Sequence, residues 1–176
     1  MDCRRSVDDA GEAMHCVPIV HQRDDHDCGP ACVEAVASYY GRVVDFDSLV
    51  VACRTTFKHG TDPEDLVSVL LAGGLRSQID EPMTIDELSE AAANGPVICP
   101  IVAYGSGHWC VVVKVAKTRI TVMDPASSSR AYRTLPVSDW LRRWHDTDRR
   151  GRSRVRLGIS VRARCRRHAV EKGIPE

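Results

Sequence analysis

The chain has 176 residues, 43% hydrophobic and 27% charged, which is enough apolar material for one ordinary core and too much for a disordered chain. No apolar run approaches the 18 uncharged residues of a membrane-spanning helix, so no membrane insertion is expected. The charges balance at 24 to 24, but residues 149–176 hold ten of the basic groups against Glu171 and Glu176, a net of +8, leaving −8 on the residues before them. An acidic body makes nucleic acid an unexpected partner, and the basic segment, lacking aromatic interleaving, reads as a solvated or partly disordered end.

In chain order, residues 1–16 read as a polar N-terminal arm, and residues 17–162 as one domain that opens on Val17–Val20, an edge strand or extended lead-in. Then Ala31, Cys32, Ala35, Val36, Tyr39 and Tyr40 recur with helical spacing, predicting a helix from near Cys28, with Asp27 as N-cap, Pro30 in the first turn and Gly41 as stop. A shorter helix is expected in FDSLVVACRTT behind Asp45 or Asp47, a third behind Thr61 or Asp62 with Pro63 at its start, and a capped fourth over residues 84–93. The period then changes. PVICPIVAY, HWCVVVKVA and RITVMDP are short, β-branched and bounded by turn residues, and a last strand is expected in VRLGISVRA before a basic polar tail over residues 163–176. Helices first and a mainly antiparallel sheet second define an α+β fold.

Eight cysteines would suggest a disulfide framework in a secreted chain, but the N-terminal residues carry acids and no continuous apolar stretch, unlike a secretory signal. Reduced thiols in a cytoplasm are therefore expected. Cys28 and Cys32 with His26 have no second ligand pair at structural-zinc spacing, so no metal is expected.

A cysteine at a helix N-terminus sits in the positive end of the helix dipole beside unpaired N–H groups, which favours thiolate over thiol. Cys28 has that position, whereas Cys32, one turn further in, reads as a small core residue. If HWCVVVKVAKTRITVMDP folds as a hairpin turning around Val115 to Lys117, positions summing to 232 face each other, and His108 meets Asp124 with Cβ atoms about 4.5–5.5 Å apart. An imidazole so held could donate to the carboxylate and offer its other nitrogen to a thiol, the nucleophile–base–orienter arrangement of acyl-transfer cysteine enzymes. The Cys28 backbone N–H and the Gln22 amide, six residues earlier, are candidate oxyanion donors.

Together QRDDHDCGPAC, YYGR, GTDPEDLVSVLLAGGL, GSGHWCVVVKV and VMDPA resemble the bacteriocin-processing, double-glycine-leader cysteine peptidases, a branch of the papain-like fold, from about Val17 to Trp144. The resemblance implies Cys28 as nucleophile, His108 as general base, Asp124 as the residue orienting it, Gln22 as oxyanion donor and no cofactor. It also implies a precursor peptide with a helical leader as partner, cleavage after a Gly-Gly or Gly-Ala pair, and association with a peptide-exporting ABC transporter. The exposed sides of the helices around Asp47–Cys53 and Pro63–Leu71 are candidates for the leader groove, while Tyr39, Tyr40, Phe57, Trp109 and Trp140 read as packing residues. Two other readings of the same residues are a phytochelatin-synthase-like acyltransferase and a non-catalytic leader-binding module.

Overall fold

The computed structural model describes residues 5–7, 13–126 and 132–164. Three helices come first: α1 (Cys28–Tyr39), α2 (Phe46–Ala52) and α3 (Pro63–Ala72). Asp45 caps α2 by accepting the Ser48 N–H, and Pro63 opens α3 behind Asp62. The fourth helix, α4 (Ile85–Asn94), begins with a capping box: Thr84 Oγ1 accepts the Glu87 N–H, and Glu87 accepts the Thr84 N–H at 2.7 Å.

The central sheet is antiparallel in the order β3-β10-β4-β5-β6-β7, from β3 (Leu75–Asp80), β4 (Val97–Ala103), β5 (Ser106–Val115), β6 (Arg119–Met123), β7 (Arg133–Pro136) and β10 (Gly158–Ala163). It is covered on both faces. Trp109, Val111 and Val113 pack with Val36, Leu66 and Leu70 of α1 and α3, whereas Cys110 and Val112 pack with Leu88, Trp140 and Trp144 at α4 and α5 (Val137–Arg143). Successive side chains of a strand point to opposite faces. A strand buried on both therefore has to be apolar throughout, which is why β4 and β5 appear in the sequence as unbroken apolar runs.

The hairpin of β5 and β6 departs from the expected register. Val111 pairs with Met123 and Val112 with Val122, two residues away from the predicted pairing, and beyond an irregularity at Val113 the offset grows to three. The turn is Lys117–Thr118, closed by reciprocal bonds between Ala116 and Arg119. At the end nearest Asp124 the offset is even, so the pleat keeps its facing. His108 and Asp124 become diagonal neighbours instead of directly opposed.

Other elements were not foreseen. Within the expected N-terminal arm, β1 (Arg5–Val7) pairs with β2 (Ala13–His15), and buried His15 bridges Tyr39 Oη and the Ala92 carbonyl, both at 2.7 Å. Of the two readings of Val17–Val20, the strand is absent: the segment forms no regular element and leads into the loop before α1. The basic segment is only partly solvated along its described part: Arg150, Arg152, Arg162 and Arg164 are exposed, but a hairpin of β8 (His145–Thr147) and β9 (Ser153–Val155) leaves Arg154 only 8% exposed, paired with Glu64 and Glu81. The tail from Cys165 onward lies outside the described residues. Replacing Thr84 with Ala removes the cap of α4, and chemical denaturation should register a loss of about 1 kcal/mol.

Candidate active site

Cys28 is the first residue of α1, and the turn before it is closed by the Asp27 N–H on the Asp24 carbonyl at 3.1 Å. Asp27 holds the N-cap position without a side-chain cap bond, so the first-turn N–H groups at Cys28 have no side-chain acceptor. Gly29 lets α3 come close: a Cβ there would lie 2.8 Å from Thr61 Oγ1. Trp109 completes this contact by donating its indole N–H to the Thr61 carbonyl (3.0 Å) and its backbone N–H to Cys28 Sγ (3.5 Å). Trp109 packs in the core as expected, and it also places a donor on the sulfur.

His108, the neighbour of Trp109, is 5% exposed. Its Nε2 lies 2.8 Å from Asp124 Oδ1, which leaves Nδ1 for a second partner. Asp124, 4% exposed, also accepts the Ala126 N–H at 3.0 Å, the Tyr104 hydroxyl at 2.9 Å and the Arg133 guanidinium, which in turn donates to Tyr104. The Tyr104 ring stands edge-on to His108, centroids 5.4 Å apart. Burial alone would depress the His108 pKa, but hydrogen bonds and charge at Asp124 and at the Cys28 sulfur outweigh it and push it up to about 9. For Asp124, burial works upward, yet the His108 bond and charge with those from Tyr104 and Arg133 hold its carboxyl well below the usual range.

Gln22 is strapped to the same centre from the other side. Its backbone N–H donates to the Pro125 carbonyl at 3.0 Å, tying the loop before Cys28 to the loop after Asp124. One N–H of its side-chain amide bonds the Asp24 carbonyl at 3.0 Å. The structure thus brings together Cys28, His108 and Asp124 and holds Gln22 in the loop leading to Cys28. Tyr104 and Arg133 are additions that no sequence signal announced.

Cys32, Cys53, Cys99 and Cys110 are fully buried, and burial pushes every one of these thiols up, Cys53 to about 12. All six described cysteines are free. The Cys28, Cys32 and His26 group does not assemble as a metal site; among the described residues, the only cluster with ligand atoms within 4.8 Å of one another is Asp24, His26 and Asp27. Phe57, expected in the core, is 86% exposed and edge-on to His26. Cys28, Thr61, Gly107 and Trp109 line a cleft of about 250 Å³.

Residues 16–147 match the model of the Peptidase C39 family. The chain belongs to that family. Over 120 residues this C39 chain is 27% identical to the "Probable microcin-H47 secretion/processing ATP-binding protein MchF" of Escherichia coli, a match that covers 65% of the chain and 15% of the curated relative. The C39 fold is shared with the peptidase domain of Streptococcus ComA, a bifunctional ABC transporter of a quorum-sensing pathway (TM-score 0.67, 21% identity, 84% of this chain and 98% of that one). It is also shared with a double glycine motif protease from an AMS/PCAT transporter, solved with its leader peptide (TM-score 0.64, 18% identity, 82% and 90%).

The hydrogen bond to Asp124 is the largest of the causes that raise the His108 pKa, so Asp124→Asn should move the imidazole down toward its ordinary 6.5. Proton-detected NMR titration of His108 in both proteins measures this. The linkage has a sign. Because His108 is raised in the folded protein, the stability it contributes is full below pH 6.5 and declines as pH climbs to about 9; urea unfolding midpoints should fall across that window in the wild type, and less in the variant.

Proposed function

We propose that the chain is a cysteine endopeptidase that removes the leader of a precursor peptide after a Gly-Gly or Gly-Ala pair. The observation that carries the reading is the junction at Cys28: a thiol at the start of α1, a backbone donor on its sulfur, and an imidazole beside it held by a saturated carboxylate. In this reading His108 takes the Cys28 proton, and the thiolate attacks the carbonyl of the second small residue. The Cys28 N–H and the uncommitted N–H of the Gln22 amide hold the oxyanion. The His108 imidazolium protonates the leaving amine as the C–N bond breaks. Water, deprotonated by His108, then hydrolyses the thioester and restores the thiol.

The cleft beside Cys28, between Pro100, Thr61 and Trp109, offers room for a peptide chain at the sulfur. Val51, Phe57 and Leu71, on and between α2 and α3, are exposed apolar positions for the apolar face of a leader helix. The wider setting in this proposal is a peptide-export system with an ABC transporter, acting in a reducing cytoplasm where free thiols are stable.

Incubating the protein with precursors ending their leaders in Gly-Gly or Gly-Ala, followed by mass spectrometry, tests the reading. Cleavage after the pair is expected, with Cys28→Ala slower by at least about 10³-fold because nothing replaces the nucleophile. A folded, reduced protein that cuts none of them overturns it, and a product joined to an added amine would indicate acyl transfer. On the alkaline side, kcat/KM should fall as pH passes about 9, where the imidazolium that protonates the leaving amine is lost. In Asp124→Asn that limb should move to lower pH.

A further inference from the structure

The hairpin β8–β9 is a wall of the cleft, contributing Asp146, Thr147 and Asp148 beside Cys28, Ser106 and Gly107. It is clamped to α3 by charge. Arg149 donates its backbone N–H to Asp62 at 3.1 Å, pairs its guanidinium with the same carboxylate and reaches Asp65 at 3.1 Å. Arg154 bonds Glu64 at 2.8 Å and Glu81 at 2.9 Å, while Arg152 closes on Asp148 at 2.6 Å. Four carboxylates from the hairpin and the start of α3, Asp62, Glu64, Asp65 and Asp148, are thereby neutralised.

Asp146 is the exception. Among the described residues no cation lies within ion-pair distance of it, and the one bond it has is the Thr147 N–H on Oδ1 at 2.7 Å. Its carboxylate rests directly on the backbone of Gly107, where a Cβ would fall 2.3 Å from Oδ1 and 2.6 Å from Oδ2. Gly107 immediately precedes His108. Asp146 and Cys28 line the same cleft, so a peptide lying in it at the sulfur passes near this carboxylate.

We propose that Asp146 is a specificity determinant that accepts a lysine or arginine side chain of the substrate close to the scissile bond. A half-buried carboxylate in a shared cleft, with no ion-pair partner among the described residues, is completed by a cation that arrives with the ligand, and it repels an acidic residue at the same position. Desolvation raises its pKa, and the neighbouring charges of Asp148 and Asp62 add to this against the Thr147 N–H and His145. An incoming ammonium or guanidinium relieves both effects. The cleft's lysine, Lys58, is exposed on the loop between α2 and α3 and forms no ion pair with Asp146.

This inference rests on the leader-peptidase reading for its substrate. The test uses precursor peptides that are identical except for a single Lys, norleucine or Glu scanned through the positions flanking the Gly-Gly pair, cut by the wild type, Asp146→Asn and Asp146→Lys. Asparagine keeps the size and the acceptor for Thr147. At one position the wild type should favour Lys over Glu by about tenfold in kcat/KM. Asp146→Asn should cut the two alike, and Asp146→Lys should favour Glu. A wild type indifferent to charge at every position, or a lysine preference that survives in Asp146→Asn, overturns the proposal. If the wild type cuts no peptide, the leader reading fails on its own account. Fluorescence anisotropy of the same peptides on Cys28→Ala, with and without Asp146→Asn, then decides whether Asp146 selects a cation: tighter binding of the lysine peptide that Asn abolishes upholds it, and equal binding overturns it.

Discussion

The carboxylate of Asp124 is the joint on which the candidate site turns. It is almost wholly withdrawn from water, and a bare carboxylate in that position would be very costly. Four donors remove the cost: the His108 ring, the Ala126 N–H, the Tyr104 hydroxyl and the Arg133 guanidinium. They come from β4–β5, the loop after β6, and β7. Satisfying one side chain thus locks together three segments of the sheet and fixes the imidazole ring at once. Pro125, the next residue, extends the lock to the loop carrying Gln22.

Much of this arrangement was legible in the sequence, for physical reasons that differ by residue. Cys28 could be placed because helix starts are written in local chemistry, here Asp27, Pro30 and the apolar spacing that follows. The pairing of His108 with Asp124 was legible as a facing, since side chains alternate along a strand, but not as a register. The irregularity at Val113 and the turn at Lys117–Thr118 moved the pairing, and nothing in HWCVVVKVAKTRITVMDP marks either. An even shift at the site end preserved the facing. An odd one would have separated the two residues.

Tyr104 and Arg133 were not legible, because their value comes from being near Asp124 and they lie 20 and nine residues from it in the chain. Strand β3, with the sequence LRSQID, is half polar, since its outer edge has no neighbouring strand, and so it lacks the apolar run that revealed β4 and β5. The burial of Arg154 was not legible for a related reason. Composition reports a charge surplus but not the acids that meet it, and Glu64 and Glu81 lie 90 and 73 residues before Arg154.

The bond from Gln22 to Pro125 joins the helical first half to the sheet-forming second half at the site itself, so the site needs both halves of the chain. Translation delivers Cys28 about eighty residues ahead of His108 and about a hundred ahead of Arg133. Until the second half has emerged and docked, the thiol has neither imidazole nor amide donor from Trp109. A nascent chain on the ribosome therefore carries the Cys28 thiol without the partners that the folded site gives it.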